Sequence, residues 1–270
     1  MRALIDADIV AYRIACTLQE DDAEEYAYAR TEDLIDSILV ATEATEYDLY
    51  LTGKDNFRYS IYPEYKAHRP TEKPVWLERI RQYLIANFNA TVVDGIEADD
   101  AMAEEQAGTI ALNEIYHNIS PGEDIDGGEA YASDGVSFSK QTETVICSID
   151  KDLLMVPGNH YNFVKDKFIY ITEEEGLRNF YMQCLTGDRA DNVKGIPGIG
   201  PKKAEKILEG CKTELEMFTA VREAYGNDDE FLMNGRVLWI RQLIDQDWKE
   251  IFDELVQKQA GGTSLEDSEE

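Results

Sequence analysis

The sequence predicts an α/β fold organised on a parallel sheet. Short apolar runs of strand character end abruptly in acids, as in Arg2-Ala-Leu-Ile-Asp6 and in Thr144-Val-Ile-Cys-Ser-Ile149, which is followed by Asp150-Lys-Asp152. Between such runs, apolar residues recur at helical spacing, so strand and helix alternate. A third observation bounds the size: 270 residues with 43% hydrophobic content, including 15 Tyr and 9 Phe, can bury a substantial core in one large domain or two modest ones.

Arg2 to Asp6 reads as a buried strand whose carboxyl end presents Asp6 and then Asp8, where α/β sheets place their sites; the bland alternative is that these acids only cap the next helix. Thr31 to Ala44 carries Leu34, Ile38 and Ala41 at helical spacing, and Tyr47 to Thr52 alternates as a second strand after this crossover. From Asn56 to Pro74, Phe57, Arg58, Tyr59, Tyr62, Tyr65, Lys66, His68, Arg69 and Lys73 interleave rings and cations, with Glu64 and Glu72 the only acids. Rings that stack bases and cations that meet phosphates suit a single-stranded nucleic acid, although an ordinary amphipathic loop has the same composition. A helix is predicted from Pro74 to Phe88, with Ile80, Leu84 and Phe88 on one face, then a short strand at Thr91-Val-Val.

Glu97, Asp99 and Asp100 gather at the start of the next helix, where the dipole tolerates acids and a cation could use them. Residues 118–143 lack periodicity and are expected to form an inserted loop in which a hairpin could form; their acids lack the spacing of a Ca²⁺ loop. The run from Thr144 is the most strand-like in the chain and is expected at the sheet centre, delivering Asp150 and Asp152 at its carboxyl edge. Weaker strands are expected at Tyr161 to Val164 and Phe168 to Tyr170, and Thr172 should cap a helix running to about Leu185. Beyond it, Leu215, Phe218, Val221, Leu238, Trp239, Leu243, Trp248, Ile251, Phe252 and Leu255 mark buried helical faces, and 259–270 read as a disordered acidic tail.

The stretch from Leu185 to Leu208 joins two devices. Asp188 and Asp191 are hard oxygen ligands three residues apart, a spacing at which both can face one divalent cation. Behind them, Gly198-Ile199-Gly200 lets the chain turn tightly, and Pro201 is placed to start a helix. The free N–H groups of such a helix start, with Lys202, Lys203 and Lys206 beside them, suit a phosphate. A metal pair next to a phosphate cradle points to phosphodiester chemistry.

Charge restricts where a nucleic acid could lie. With 26 Lys+Arg against 55 Asp+Glu, the net charge of −29 repels a polyanion over most of the surface, so any such patch must be local. Cys16, Cys147, Cys184 and Cys211 stand alone and suggest neither a zinc site nor a disulfide framework. The sequence carries no long apolar run and opens directly on a strand without a signal-peptide pattern, so a cytoplasmic protein is expected.

Taken in order, Asp6, Tyr65-Lys66-Ala-His-Arg69, Glu97-Ala-Asp-Asp100, Ser148-Ile-Asp150-Lys-Asp152, Gly187-Asp-Arg-Ala-Asp191-Asn and Gly195-Ile-Pro-Gly-Ile-Gly-Pro-Lys resemble the motifs of the flap-endonuclease family. Within it the chain is most similar to phage 5′-to-3′ exonucleases and the 5′-nuclease domain of bacterial DNA polymerase I. The resemblance spans about residues 2 to 245. It implies a parallel-sheet, PIN-like α/β nuclease core over 1–184, with a helical arch at about 56–90, and a helix-hairpin-helix DNA-binding region over 185–258. It also implies two Mg²⁺ or Mn²⁺ ions, with Asp6, Glu97, Asp99 and Asp100 around the first, Asp150 between, and Asp152, Asp188 and Asp191 favouring the second. A K⁺ ion would accompany the helix-hairpin-helix.

By the same resemblance Lys66 would be the arch lysine that assists at the scissile phosphate, sharing the catalytic role with Asp150 and Asp188. Tyr65 would stack a terminal base, Arg69 would clamp a phosphate, and Gly198, Gly200, Lys202 and Lys203 would hold the duplex. The implied substrate is DNA with 5′ ends or 5′ flaps; RNA–DNA hybrids and replication proteins are candidate further partners, with no membrane and a monomeric protein. One position departs: relatives carry an Asp at the end of the strand before the arch, where this chain has Thr52 or Gly53. The competing class is a non-catalytic DNA-junction binder derived from such nucleases. A pure binder would have no chemical reason to keep Asp150, Asp152, Asp188 and Asp191 together.

Overall fold

The computed structural model describes residues 1–119, 129–131, 137–139 and 142–266. The chain begins with β1 (Arg2–Asp6), α1 (Ala7–Ala15), α2 (Glu24–Thr42), β2 (Glu46–Thr52), α3 (Arg58–Ile61), α4 (Leu77–Phe88), β3 (Thr91–Val93) and α5 (Ala98–Ile119). It continues through β4 (Glu129–Tyr131), β5 (Ser137–Ser139), β6 (Thr144–Cys147), a 3-10 turn at Asp152–Met155, β7 (Gly158–Asn162), β8 (Lys167–Ile171) and α6 (Glu173–Thr186). Then come β9 (Gly187–Asp188), β10 (Val193–Lys194), α7 (Pro201–Ile207), α8 (Glu214–Tyr225), α9 (Asp228–Leu238) and α10 (Trp248–Glu266).

The main sheet runs β3-β2-β1-β6-β7-β8, parallel except for the antiparallel edge strand β8. Strand side chains alternate between faces, so a strand covered on both sides must be apolar throughout. That explains the unbroken apolar runs. Ala3 and Ile5 of β1, with Val145 and Cys147 of β6, enter a core shared with α1, α2 and α4. Leu4 and Ile146 enter the opposite core, shared with α5, α6 and the helices up to α10. From β1 the chain steps outward to β2 and β3, then returns to β6 on the other side of β1. Such a reversal places a ligand site beyond the carboxyl ends of β1 and β6.

Several element limits differ from the expectation. Helix α2 starts at Glu24 rather than Thr31, because Ala27 also packs into the core. Helix α4 starts at Leu77 rather than Pro74, because Trp76 is buried at its N-cap with Nε1 donating to the Gln19 carbonyl at 2.6 Å. Strand β7 spans Gly158–Asn162 rather than Tyr161 to Val164, since its register pairs Asn159 with Val145 and Tyr161 with Cys147 of β6. Most of the predicted insertion at 118–143 lies outside the described residues; within it α5 reaches Ile119, and β4 pairs antiparallel with β5. The tail expected from 259 is helical as far as Glu266, because α10 is anchored by buried Trp248, Phe252 and Leu255, and extending a formed helix adds a hydrogen bond per residue. Residues 267–270 lie outside the described residues.

Thr172 caps α6 as expected, through reciprocal bonds with Glu175. Phe180 of α6 meets Trp239 and Trp248 edge-on at 4.9 and 5.2 Å, locking the helical region onto the sheet's second face. Gly235 permits this: a Cβ there would stand 2.0 Å from the Trp248 ring. Among the described residues, no helix is long and apolar enough to cross a membrane.

Candidate active site

The carboxyl ends of β1 and β6 meet through a hydroxyl. Asp6 caps α1, its Oδ1 accepting from Ile9 N at 3.0 Å, and its Oδ2 accepts from Ser148 Oγ at 2.7 Å. Ser148 Oγ in turn accepts from Asp150 N at 3.1 Å, and Asp150 Oδ1 accepts from Asp152 N at 2.9 Å. The capping reading of Asp6 therefore holds, and the same carboxylate is tied to the end of β6 through Ser148. Burial, with repulsion from Asp8 and Asp150, pushes the Asp6 carboxyl up to about 7 against its hydrogen bonds. Asp152 also rises to about 7, through burial and then through Asp150 and Asp188, with Lys151 opposing.

At the start of α5, the three acids take different roles. Asp99 titrates well above the usual carboxylate range, because it is desolvated and faces Asp6, Asp150 and Glu97. Asp100 is fully buried and paired. It accepts from both Arg58 guanidinium nitrogens at 2.6 and 2.8 Å, from Arg241 N and from Glu97 N, both at 3.0 Å. Burial alone would raise its pKa, but Arg58 and these bonds outweigh it and hold the group below its ordinary value. Arg58 also donates to the carbonyls of Val237 and Trp239 at 2.9 and 2.7 Å. The sequence expectation placed Asp100 at a metal; in this structure its oxygens are committed to a buried arginine that ties α3, α5 and α9 together.

The arch segment is α3, a run of turns and α4. Its tip is fastened to the loop after β9. Lys66 holds a left-handed backbone (φ 56°) and donates its N–H to the Asp191 carbonyl at 2.9 Å. Its Nζ pairs with Glu97 Oε1 and lies 3.8 Å from Asp191 Oδ2. Arg69 Nη2 reaches Asp191 Oδ1 at 2.5 Å, half-exposed. Tyr65 departs from its expected role. Its ring is only 2% exposed, and its hydroxyl meets Asp191 Oδ2 at 2.7 Å and Glu97 Oε2 at 3.0 Å. In this arrangement it braces two carboxylates and offers no face for stacking a base.

Asp188 sits in the β9–β10 hairpin, where Gly187 (φ 71°) and Gly195 lie so close that a Cβ on Gly195 would stand 2.3 Å from Gly187 N. Asp188 Oδ1 accepts from Ala190 N at 2.6 Å and Asp191 N at 3.1 Å. Its Oδ2 accepts from Lys151 Nζ at 3.0 Å and Gln183 Nε2 at 3.2 Å. Desolvation would raise its pKa, but Lys151 and the two N–H groups lower it on balance.

In the following loop Gly198 has φ 78° and needs its glycine, whereas Gly200 is an extended N-cap with open space around it and does not. Pro201 opens α7 as expected. Lys202 and Lys203 are exposed, and Lys203 Nζ donates to the Gly198 carbonyl at 2.8 Å, pinning the loop.

Repulsion among these acids acts within two overlapping groups. Asp99 feels Asp6, Asp150 and Glu97, whereas Asp152 feels Asp150, Asp188 and Asp191. Oxygen donors crowded and desolvated in this way fit hard divalent cations. Among the described residues, no three of them converge closely enough to hold an ion as they stand. Lys66, Arg69 and Lys151 occupy Glu97, Asp191 and Asp188 instead. Sequence reasoning missed Arg58, Ser148 and Lys151 as members of the site. Lys151 alone carried a local signal, standing between Asp150 and Asp152.

No protein-family model matches the chain. It is 34% identical over 183 residues to DNA polymerase I of Rhizobium leguminosarum, covering 62% of this chain and 15% of that protein, so it spans a small part of the polymerase. To the 5′-3′ exonuclease of Mycoplasma genitalium it is 27% identical over 244 residues, 80% of this chain and 74% of the relative. In structure it is similar to a bacteriophage T5 flap endonuclease in complex with DNA and metal ions, with TM-score 0.62 at 13% identity, covering 95% of this chain and 98% of the other. The mostly parallel sheet and its surrounding helices match that fold. In its fold and in these sequence likenesses, the chain is similar to proteins of the flap-endonuclease/5′-nuclease family.

Proposed function

We infer that the chain is a divalent-metal-dependent 5′-nuclease that hydrolyses phosphodiester bonds near 5′ ends or 5′ flaps of DNA. One observation carries this reading: carboxylates from four separate segments, Asp6, Glu97 with Asp99, Asp150 with Asp152, and Asp188 with Asp191, lie near one another at the carboxyl edge of the sheet, with Lys66 and Arg69 paired to Glu97 and Asp191. Asp6, Glu97, Asp99 and Asp150 would hold one cation, and Asp152, Asp188 and Asp191 a second. Two such cations, Mg²⁺ or Mn²⁺, supply activation of water and stabilisation of the leaving oxygen in an in-line displacement. The chain's own cations have a separate task. Lys66 and Arg69 balance Glu97 and Asp191; with those acids holding a cation, both charges would be available to the scissile phosphate and its neighbour.

Ser148 keeps Asp6 oriented, and Tyr65 keeps Glu97 and Asp191 in reach of one another. The open approach at Gly200 and the exposed Lys202 and Lys203 would receive duplex phosphates beyond the site, with a K⁺ ion bound there as in a helix-hairpin-helix. Residues 1–184 would then form the nuclease core and 185–258 the duplex-holding region of a phage-type enzyme. The test is cleavage of 5′-labelled and 3′-labelled duplexes, with and without a 5′ flap, in Mg²⁺ and in chelator. Release of short 5′-terminal products only with the metal supports the reading, and tight DNA binding without any cleavage refutes it.

A further inference from the structure

The start of α1, the end of β2 and the start of α5 are joined by one chain of contacts that runs through α4. Arg81 pairs through Nη1 with Asp8 Oδ1, and its Nη2 donates to the Thr52 carbonyl at 2.7 Å. Asp8 Oδ2 accepts from Thr52 N at 2.8 Å, and Thr52 Oγ1 accepts from Ala98 N at 3.0 Å. Ala98 stands between Glu97 and Asp99. Asp8 lies two residues past Asp6, close enough for its charge to act on that carboxylate. The arginine and aspartate side chains are 19% and 31% exposed, so the pair is neither a loose surface contact nor sealed from solvent.

We propose that Arg81 is a positioning residue of the carboxylate cluster: it holds Asp8 out of the donor set and clamps the end of β2, so that Glu97 and Asp99 stand at a set place relative to Asp6. The inference rests on the reading that this cluster binds divalent cations. Its physical content is a pair of opposed effects. Removing the guanidinium takes a positive charge from beside the cluster and uncovers a carboxylate two residues from Asp6, so cations bind more tightly. Removing it also releases the Thr52–Ala98 link, so the ligands lose their fixed spacing and the reaction slows. A residue that only supported the fold would weaken both together.

The experiment titrates Mn²⁺ into the full chain without DNA, by calorimetry, and measures single-turnover cleavage of a 5′-flap duplex at saturating Mn²⁺. Arg81→Met should bind Mn²⁺ roughly three- to tenfold more tightly and cleave about tenfold or more slowly. Arg81→Lys keeps the charge but loses the fork, so its Mn²⁺ affinity should stay within about twofold while cleavage falls partway. Unchanged or weaker Mn²⁺ binding by Arg81→Met overturns the proposal. Should Arg81→Met not fold, Asp8→Asn decides: it leaves the arginine charge unbalanced beside the cluster, so Mn²⁺ binding should weaken severalfold, and unchanged binding overturns the proposal. A wild-type chain that neither binds Mn²⁺ nor cleaves overturns the nuclease reading together with this one, whereas normal wild-type behaviour with an unresponsive Arg81→Met overturns this one alone.

Discussion

Replacing Arg58 with methionine keeps an unbranched apolar stem but removes the guanidinium and strands a charge. Arg58 is 2% exposed and its partner Asp100 is 0% exposed, so Asp100 would lose both guanidinium bonds with no water to replace them. Breaking a buried pair by removing one member costs about 3–5 kcal/mol, a large share of the ~5–15 kcal/mol that holds a domain folded. In urea that moves the unfolding midpoint down by about 1–2 M. Linkage gives the effect a pH signature. In the wild type the depressed Asp100 pKa contributes stability that is present above the unfolded carboxyl value and lost as pH falls through the folded one. Without Arg58, burial is opposed only by the Arg241 and Glu97 backbone N–H groups and the pKa rises, so the loss should be greatest near pH 7 and smaller toward pH 5, where more of the carboxyl protonates. Arg58→Met/Asp100→Leu should recover part of the stability by removing the orphaned charge. The assay is urea unfolding at both pH values, with Mn²⁺ titration of Asp100→Asn alongside. A loss under about 1 kcal/mol, or an Asp100→Asn variant that folds normally but loses a cation, would refute the structural assignment of this pair.

Asp188→Asn should keep the fold and duplex affinity in Ca²⁺ within about tenfold while cleavage falls roughly a thousandfold; near-normal single-turnover cleavage would make this carboxylate structural. Lys66→Ala should lower turnover by about two to three orders of magnitude with a modest loss of affinity, whereas lost affinity with intact single-turnover cleavage would leave it only a binding contact. Asp6 and Asp152 titrate at about 7, so the cation-free folded chain binds more protons than the unfolded one between the ordinary carboxyl value and 7, and its stability falls as pH rises through that window. Saturating Mg²⁺ should therefore raise the melting temperature more at pH 8 than at pH 5.5; equal increments would contradict the shifts. Lys202→Glu/Lys203→Glu should weaken duplex binding and flatten its salt dependence by about two counterions, and an unaltered slope would remove these lysines from the interface.

The sequence by itself determined whatever rests on neighbours along the chain. β1 and β6 were readable because strands covered on both faces must be apolar throughout, and their terminal acids announced the site edge. Thr172 with Glu175 marked the start of α6, and Pro201 the start of α7, since caps act within one turn. Glu97, Asp99, Asp150, Asp188 and Asp191 could be singled out by residue type and spacing. Only the tertiary structure decided what each of these acids touches. Arg58 reaches Asp100 across 42 positions and the Trp239 carbonyl across 181, and Tyr65 reaches Asp191 across 126. No local pattern records such pairings, because what selects them is burial: a desolvated charge must find a partner, and packing alone determines which one is near. The same reasoning applies to β7, whose limits follow the register of β6, and to Arg81, whose use depends on α4 lying against the start of α1 and the end of β2.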